Sequence, residues 1–282
     1  MSVTAITQSP AQATASYDLT VRPMDFDFPD DIPEFWYAND PFRTILAYAL
    51  SGGFPEGERF FIDSVRYFQD RIQDPELKRA IRSFIGQEAH HSKEHHALNQ
   101  WIESRGYPVS RIDREVGTMM RLYRKYLSPE RQLAKTAALE HFTAIMAEHY
   151  MLNLQELGSM HPQMAKLWAW HAIEEAEHKS VAFDVFKAVS DSEWLRLSEM
   201  VTTTFNFMFF TTLDMVRLMR HSGHLMDLKM WAGGINYFWG RPGVFRKMIP
   251  AYLQYYRRDF HPSQYDGRLQ RDMVKKEYLA ED

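Results

Sequence analysis

Two quartets decide how this chain folds: Glu88-Ala89-His90-His91 and Glu175-Ala176-Glu177-His178. Each sets a carboxylate three residues before an imidazole, the spacing that puts both on one face of a helix. Each is preceded by a lone glutamate at a hairpin's distance. Glu58 stands 30 residues before Glu88, and Glu140 stands 35 residues before Glu175. Two antiparallel helices joined by a turn span such a gap with both acids at the same height. A carboxylate-bridged two-metal centre in a four-helix bundle needs this set: one Glu from each of two helices and a Glu-x-x-His pair from each of the other two. The order single, pair, single, pair therefore predicts an all-α chain with a four-helix core and a pseudo-twofold doubling of one hairpin.

The faces around these residues agree. On the second helix Glu88 and His91 share a stripe with Ile81, Phe84 and Ile102. On the fourth, His171, Glu175 and His178 fall within roughly a 60° arc, beside Leu167, Ala182 and Val185. On the third, Glu140 shares its stripe with Leu133, Ala144 and Ala147. Acids and imidazoles on an apolar face need partners, because a buried unpaired charge is costly. Metal coordination supplies them. Four carboxylates balance two divalent ions when the histidines are neutral. His171 extends the second quartet to His-x-x-x-Glu-x-x-His and is a candidate third histidine ligand. His95, one turn beyond His91, can be a ligand, a hydrogen-bond partner behind the ligands, or a pocket residue. Glu174 is the substitute should Glu175 not face the site, Glu177 points away, and His90 and His96 read as solvated. Thr143 is placed to relay protons, and His149 reads as structural.

Punctuation sets the elements. Asp40-Pro41 opens a short helix to Leu50, and Ser51-Gly52-Gly53-Phe54-Pro55 ends it. Helices are then expected over about 56–73, 75–105, 112–126, 129–157 and 163–189. Residues 193–230 read as one or two aromatic- and Met-rich helices, 231–242 as a Gly/Trp/Pro loop, 245–258 as a basic aromatic helix, and the last 20 residues as polar. Three units follow: a poorly ordered tail over 1–32, the bundle over 33–190, and a C-terminal helical extension over 191–282 that packs on the bundle or builds a homodimer contact. The phenylalanines at 205–210 read as core packing or as the wall of an apolar channel. The basic helix reads as a solvated face, with contact to a membrane surface as the other reading.

Composition narrows the chemistry. There is no cysteine among the 282 residues, which excludes disulfides, thiolate metal sites and cysteine nucleophiles. Oxygen and imidazole donors remain, and they suit iron, manganese or zinc. Nine of the twelve histidines lie between His90 and His178, so imidazole chemistry is concentrated in the middle third. A net charge of -4 gives no reason to expect nucleic acid. No transmembrane span is expected, since the most apolar stretch, Met200 to Met219, carries Asp214 and Arg217. The first 21 residues hold no Lys or Arg, which argues against a secretory signal or transit peptide and for a cytoplasmic protein.

The Gly86-Gln87-Glu88-Ala89-His90-His91, Ala138-Leu139-Glu140-His141-Phe142 and Trp170-to-His178 segments resemble the ferritin-like di-iron carboxylate proteins over about residues 40–190. Within that superfamily the chain looks like the bacterial family described as predicted metal-dependent hydrolases. The run Tyr255-Tyr256-Arg257-Arg258-Asp259-Phe260-His261-Pro262 shares in that likeness. The His171-x-x-x-Glu175-x-x-His178 motif is also similar to that of the arylamine N-oxygenases, which bind a third histidine in a di-iron site. These resemblances imply seven ligands, Glu58, Glu88, His91, Glu140, His171, Glu175 and His178, around two Fe ions, with Mn or mixed Fe/Mn as alternatives.

Three functions are then open. The first is a di-iron oxidase or oxygenase that activates dioxygen to oxidise a small apolar or aromatic substrate, with electrons from an external donor or reductase. In it Glu88 and Glu175 bridge, while Glu58 and Glu140 are terminal or shifting ligands. The second is a dinuclear hydrolase using a metal-activated water. The third is iron storage, which the long aromatic extension disfavours.

Overall fold

The computed structural model describes residues 17–280, and every regular element among them is helical. The core helices are α1 (Pro41–Arg66), α2 (Pro75–Ser104), α4 (Pro129–Leu152) and α6 (Pro162–His178), with α3 (Val109–Tyr126) linking α2 to α4. Short α5 (Leu154–Gly158) precedes α6, and α7 (Val181–Val189) continues it after a break at Lys179–Ser180. Three core helices start alike, with a capping side chain followed by proline. Asp40 accepts from the Phe42 amide at 2.8 Å, Asp74 from Glu76 at 2.9 Å and Ser128 from Arg131 at 3.3 Å.

Two apolar clusters bracket a charged layer. One holds Ile45 and Tyr48 of α1, Leu98 and Ile102 of α2, and Leu167 and Ile173 of α6. The other holds Phe60 and Val65 of α1, Ile81 and Phe84 of α2, Leu133 and Ala137 of α4, and Val181 of α7. The order in which each helix meets them shows that α1 and α6–α7 run one way, while α2 and α4 run the other. α3 carries the chain back between them. Glu58, Glu88 and Glu175 each lie where their helix crosses from one cluster to the other.

The expected break at Ser51–Pro55 does not occur: α1 runs through it as a single 26-residue helix. Proline removes one backbone donor and normally leaves the carbonyl four residues earlier without a partner. Here the Ser51 carbonyl accepts from Asn99 Nδ2 at 2.9 Å, so α2 supplies the missing bond. Glycine at 52 serves a close approach, since a Cβ there would lie 3.2 Å from the Ile112 side chain of α3.

The C-terminal part also differs from expectation. α8 (Glu193–His221) is one helix, and the segment read as a Gly/Trp/Pro loop is α9 (Leu228–Trp239). Glycine at 234 inside this helix serves a close approach, since a Cβ there would sit 2.2 Å from the Phe42 ring of α1. α10 (Val244–Gln254) follows, and the polar end carries α11 (Arg268–Tyr278). α8 packs on α4 and α1, α10 on α4 and α9, and α11 on α6.

Residues 1–16 of the expected tail lie outside the described residues. From Tyr17 to about 32 the chain is not loose but forms an extended strap antiparallel to α6–α7. Tyr17 donates to Asp184 at 2.7 Å, the Arg22 amide to Glu174 at 2.9 Å, and Gln163 to the Asp27 carbonyl at 2.8 Å. Helix acids hold it together with alternating apolar side chains, Tyr17 and Leu19 on one core cluster and Phe26 and Phe28 on the other.

Candidate metal centre

All seven side chains singled out from the sequence converge in the charged layer. Donor atoms of Glu58, Glu88 and His91 lie within 4.8 Å of one another, as do those of Glu88, Glu175 and His178, and those of His91, His171 and Glu175. Glu140 joins through Oε2, 3.4 Å from His178 Nε2. The His178 nitrogen is also 3.1 Å from Glu88 and 3.5 Å from Glu175. Every one of these residues is buried.

The atoms that face inward are left without hydrogen bonds. Both oxygens of Glu58, Glu88 and Glu140, one of Glu175, Nδ1 of His91 and Nε2 of His178 are buried and unpartnered. Each such atom costs about 1–3 kcal/mol if nothing satisfies it. A concentration of them, all electron-pair donors aimed at one space, fits cations.

Hydrogen bonds behind the histidines fix which nitrogen faces that space. Gln87 Nε2 donates to Glu177 and to the Thr20 carbonyl, both at 3.0 Å, so Gln87 Oε1 is an acceptor. It lies 3.0 Å from His178 Nδ1, which must carry the proton. His178 Nε2 is then the nitrogen that faces the carboxylates of Glu88, Glu140 and Glu175, which push the imidazole well toward its protonated form against the cost of burial. A longer relay acts on His171. Asn99 Nδ2 donates to the Ser51 carbonyl, so its Oδ1 accepts the Ser51 hydroxyl at 2.8 Å. Ser51 Oγ can only accept from His95 Nδ1, 2.9 Å away. Neutral His95 therefore accepts at Nε2 from His171 Nδ1, at 2.6 Å. That leaves a lone pair on His171 Nε2, 3.0 Å from Glu175 Oε1. Two electron-pair donors point at each other, and a cation between or beside them resolves the conflict. His91 has a carboxylate behind it instead: Nε2 lies 3.2 Å from Glu174 Oε2, and Nδ1 faces Glu175 at 3.4 Å. Imidazole backed by a carboxylate or amide is the usual support of a metal-binding histidine.

The protonation pattern reflects the crowding. Burial pushes Glu58 and Glu140 well above the usual carboxylate range, with Glu88 adding repulsion at Glu58, and burial raises Glu88 too. Glu175 is the exception. Burial opposes its charge, but His178, His171 and His91 together hold it well below the usual range. Burial also opposes the charge on His91, yet Glu174 and Glu175 push it up to about 10. Burial and the neighbouring His91 push His171 down to about 4, and burial with His171 pushes His95 well down. Protons thus stand in where cations would, and metal binding would displace them.

Both supports behind the quartets meet at Arg22 of the strap. Its guanidinium donates to Glu177 at 2.8 and 2.9 Å and reaches Glu174 at 3.3 Å. Burial would raise Glu177, but Arg22 and Lys275, at 2.7 Å, hold it below its usual range. Sequence reasoning missed Arg22, Gln87, Asn99 and Ser51. Gln87 stood beside Glu88 and was within reach. Arg22 carried no signal of its own, because the acids it holds lie more than 150 residues further along the chain.

Other expectations divide. Glu175, not Glu174, is in the cluster, and Glu174 supports His91. Glu177 faces away from the cluster, and His96 is exposed. His95 is the partner of His171 and also lies within 4.8 Å of Glu58 and His171 donors. Thr143 donates to the Glu140 carbonyl at 3.1 Å and lines a cavity. That cavity, of about 130 Å³, adjoins the centre at Glu58, His171 and Glu175, and its other walls are mainly apolar, among them Phe54, Ile112 and Met120. Phe207 and Phe210 of α8 also line it. Core packing does not describe Phe205 and Phe209, which are 68% and 52% exposed.

Comparison with curated proteins and with solved structures gave no match. A family model described as "Predicted metal-dependent hydrolase" matches residues 20–266, a span that contains most of the strap, the bundle and α8 to α10. The chain, with its buried Glu/His cluster, belongs to that family of predicted metal-dependent hydrolases.

Proposed function

We propose that the cluster holds two divalent metal ions and that the protein hydrolyses a small, largely apolar substrate bound in the adjoining cavity. The observation that carries the metal reading is the set of buried, unpartnered oxygens and nitrogens on six of the seven residues, together with the fixed lone pair of His171. Family membership favours hydrolysis as the reaction. Glu58, Glu88, Glu140, Glu175, His91, His171 and His178 would be the ligands. When bound, such a pair would lower the pKa of a shared water and polarise the substrate's carbonyl or phosphoryl oxygen. The chain's own residues do the rest. Gln87, His95 and Glu174 hold the three imidazoles in orientation. Phe54, Ile112 and Met120 exclude bulk water and bind the apolar part of the substrate. Glu58 borders both cluster and cavity, so a substrate seated in the cavity meets the centre at this carboxylate.

A second reading is oxidation of the same kind of substrate at a centre of two iron ions, with dioxygen as oxidant and an external electron donor. The donor set favours it: four glutamates and three histidines without cysteine, closed off beside an apolar cavity, as in redox helix bundles. One experiment separates the two. Protein loaded anaerobically with zinc or with manganese is assayed on p-nitrophenyl esters and phosphoesters of increasing apolar bulk. Turnover without dioxygen is the expected result. No turnover with either metal, alongside dioxygen consumption by the reduced iron-loaded protein, would overturn hydrolysis and leave the oxidase.

A further inference from the structure

α8 has two unlike faces. One lines the cavity through Thr203, Asn206, Phe207 and Phe210. The other is open: Val201 is 55% exposed, Phe205 68% and Phe209 52%, and the rings of the two phenylalanines stack at 5.9 Å. No charged residue occurs from Met200 to Leu213. These side chains border an open groove that continues to Tyr252 of α10, whose hydroxyl meets Thr204 at 2.9 Å. On α9 and α10 the apolar exposure goes on with Ile235, Trp239, Ile249 and Leu253. A soluble monomer rarely leaves so many large apolar groups together in water.

Charge says what covers them. From Leu228 to Arg258 there is no acidic residue, while Lys229, Arg241, Arg246, Lys247, Arg257 and Arg258 are all exposed. Among the described residues only Arg257 of the six has an acidic partner, Asp259. A whole chain of net charge -4 therefore concentrates cations on the α9–α10 segment, which carries part of this apolar face. A second copy of the chain is a poor occupant, because a twofold contact places the same patch on itself and sets cation against cation. An anionic lipid surface answers both features, with apolar side chains entering the acyl boundary and cations meeting headgroups. No described helix is long and apolar enough to cross a membrane, so the contact is with one leaflet.

We propose that the α8–α10 face docks on the surface of an anionic lipid bilayer. The cavity's α8 wall then lies beside the lipid, and the inference does not depend on which reaction the centre performs. Co-sedimentation tests it, using the full-length metal-loaded protein and vesicles either of phosphatidylcholine or with about a third phosphatidylserine. The protein pellets with the anionic vesicles, and raised salt releases it. Replacing Phe205 and Phe209 together by serine weakens pelleting at least about a hundredfold. Each of Arg246→Ala and Lys247→Ala weakens it about fivefold. Thermal midpoint and metal content of these surface variants stay unchanged, which shows that folding is intact. Failure to pellet with either vesicle overturns the proposal. So does a dimer in solution that the double serine variant converts to monomer, because the face then belongs to a second copy.

Discussion

Around the quartets this protein buries charge, and along α8 to α10 it exposes apolar surface. Both invert the ordinary distribution of residues, and they do so by different means. In the bundle each imidazole of the cluster is backed by another polar group, Gln87, His95 or Glu174, and Arg22 in turn holds Glu174 and Glu177. The layer is costly but organised, with its unsatisfied atoms turned to one space. On the α8 face nothing from the described chain covers Phe205 or Phe209, and the surrounding charges are nearly all of one sign. The difference teaches where to look for each occupant. An organised set of orphaned donors calls for a small cation inside the fold, and an unorganised apolar face with a one-sided charge rim calls for a large surface outside it.

The sharpest way to break the comparison is to remove what the buried layer was built around. Chelation of the metal-loaded protein should lower its thermal midpoint by roughly 5–10 °C, since ligands that bind only the native state stabilise it. Replacing Glu88 by alanine should leave at most one bound metal per chain by elemental analysis. Two tightly held metals in that variant would remove Glu88 from the ligand set.

A smaller effect is expected one layer out. Arg22→Ala strands Glu174 and Glu177 without their shared cation while touching no ligand. Metal affinity should fall about 10–100-fold, as for other supports behind metal ligands. Competition with a chromophoric chelator measures it. Arg22→Lys should recover part of the loss, and an unchanged affinity in both variants would mean that the strap only covers the bundle.

The smallest change tests the relay to His171. Asn99→Ala leaves the Ser51 carbonyl without its donor and frees the Ser51 hydroxyl to turn. Stability to urea should drop by about 1–3 kcal/mol. Metal affinity should fall about tenfold, because His171 Nε2 is no longer held as a lone pair. A stability loss with unchanged affinity would show that Asn99 repairs the proline in α1 and does nothing for the imidazole.

Much of the site could be read in advance. Glu58, Glu88, His91, Glu140, Glu175 and His178 were found because helical spacing is local: three or four residues along a chain are neighbours on a surface. Pairing two such hairpins by distance then sufficed to bring the six together. His171 came from the same arc. The helical starts at Asp40, Asp74 and Ser128 were legible for a similar reason, since a cap and its proline act within one turn. Where the sequence misled, the deciding partner lay far away. Pro55 reads as a helix breaker until Asn99, 48 residues from Ser51, takes the freed carbonyl. Gly234 reads as part of a loop until Phe42 needs the room.

The sequence by itself thus determined the helical class, the six motif residues and the absence of thiolate chemistry, because periodicity, spacing and composition carry those directly. Only the tertiary structure decided that Arg22, 152 residues from Glu174, stands behind the quartets. It alone decided which nitrogen of each histidine faces inward, and that one side of α8 lines the cavity while the other meets the outside. These are relations between segments distant in the chain, and no local pattern records which surfaces will be brought face to face.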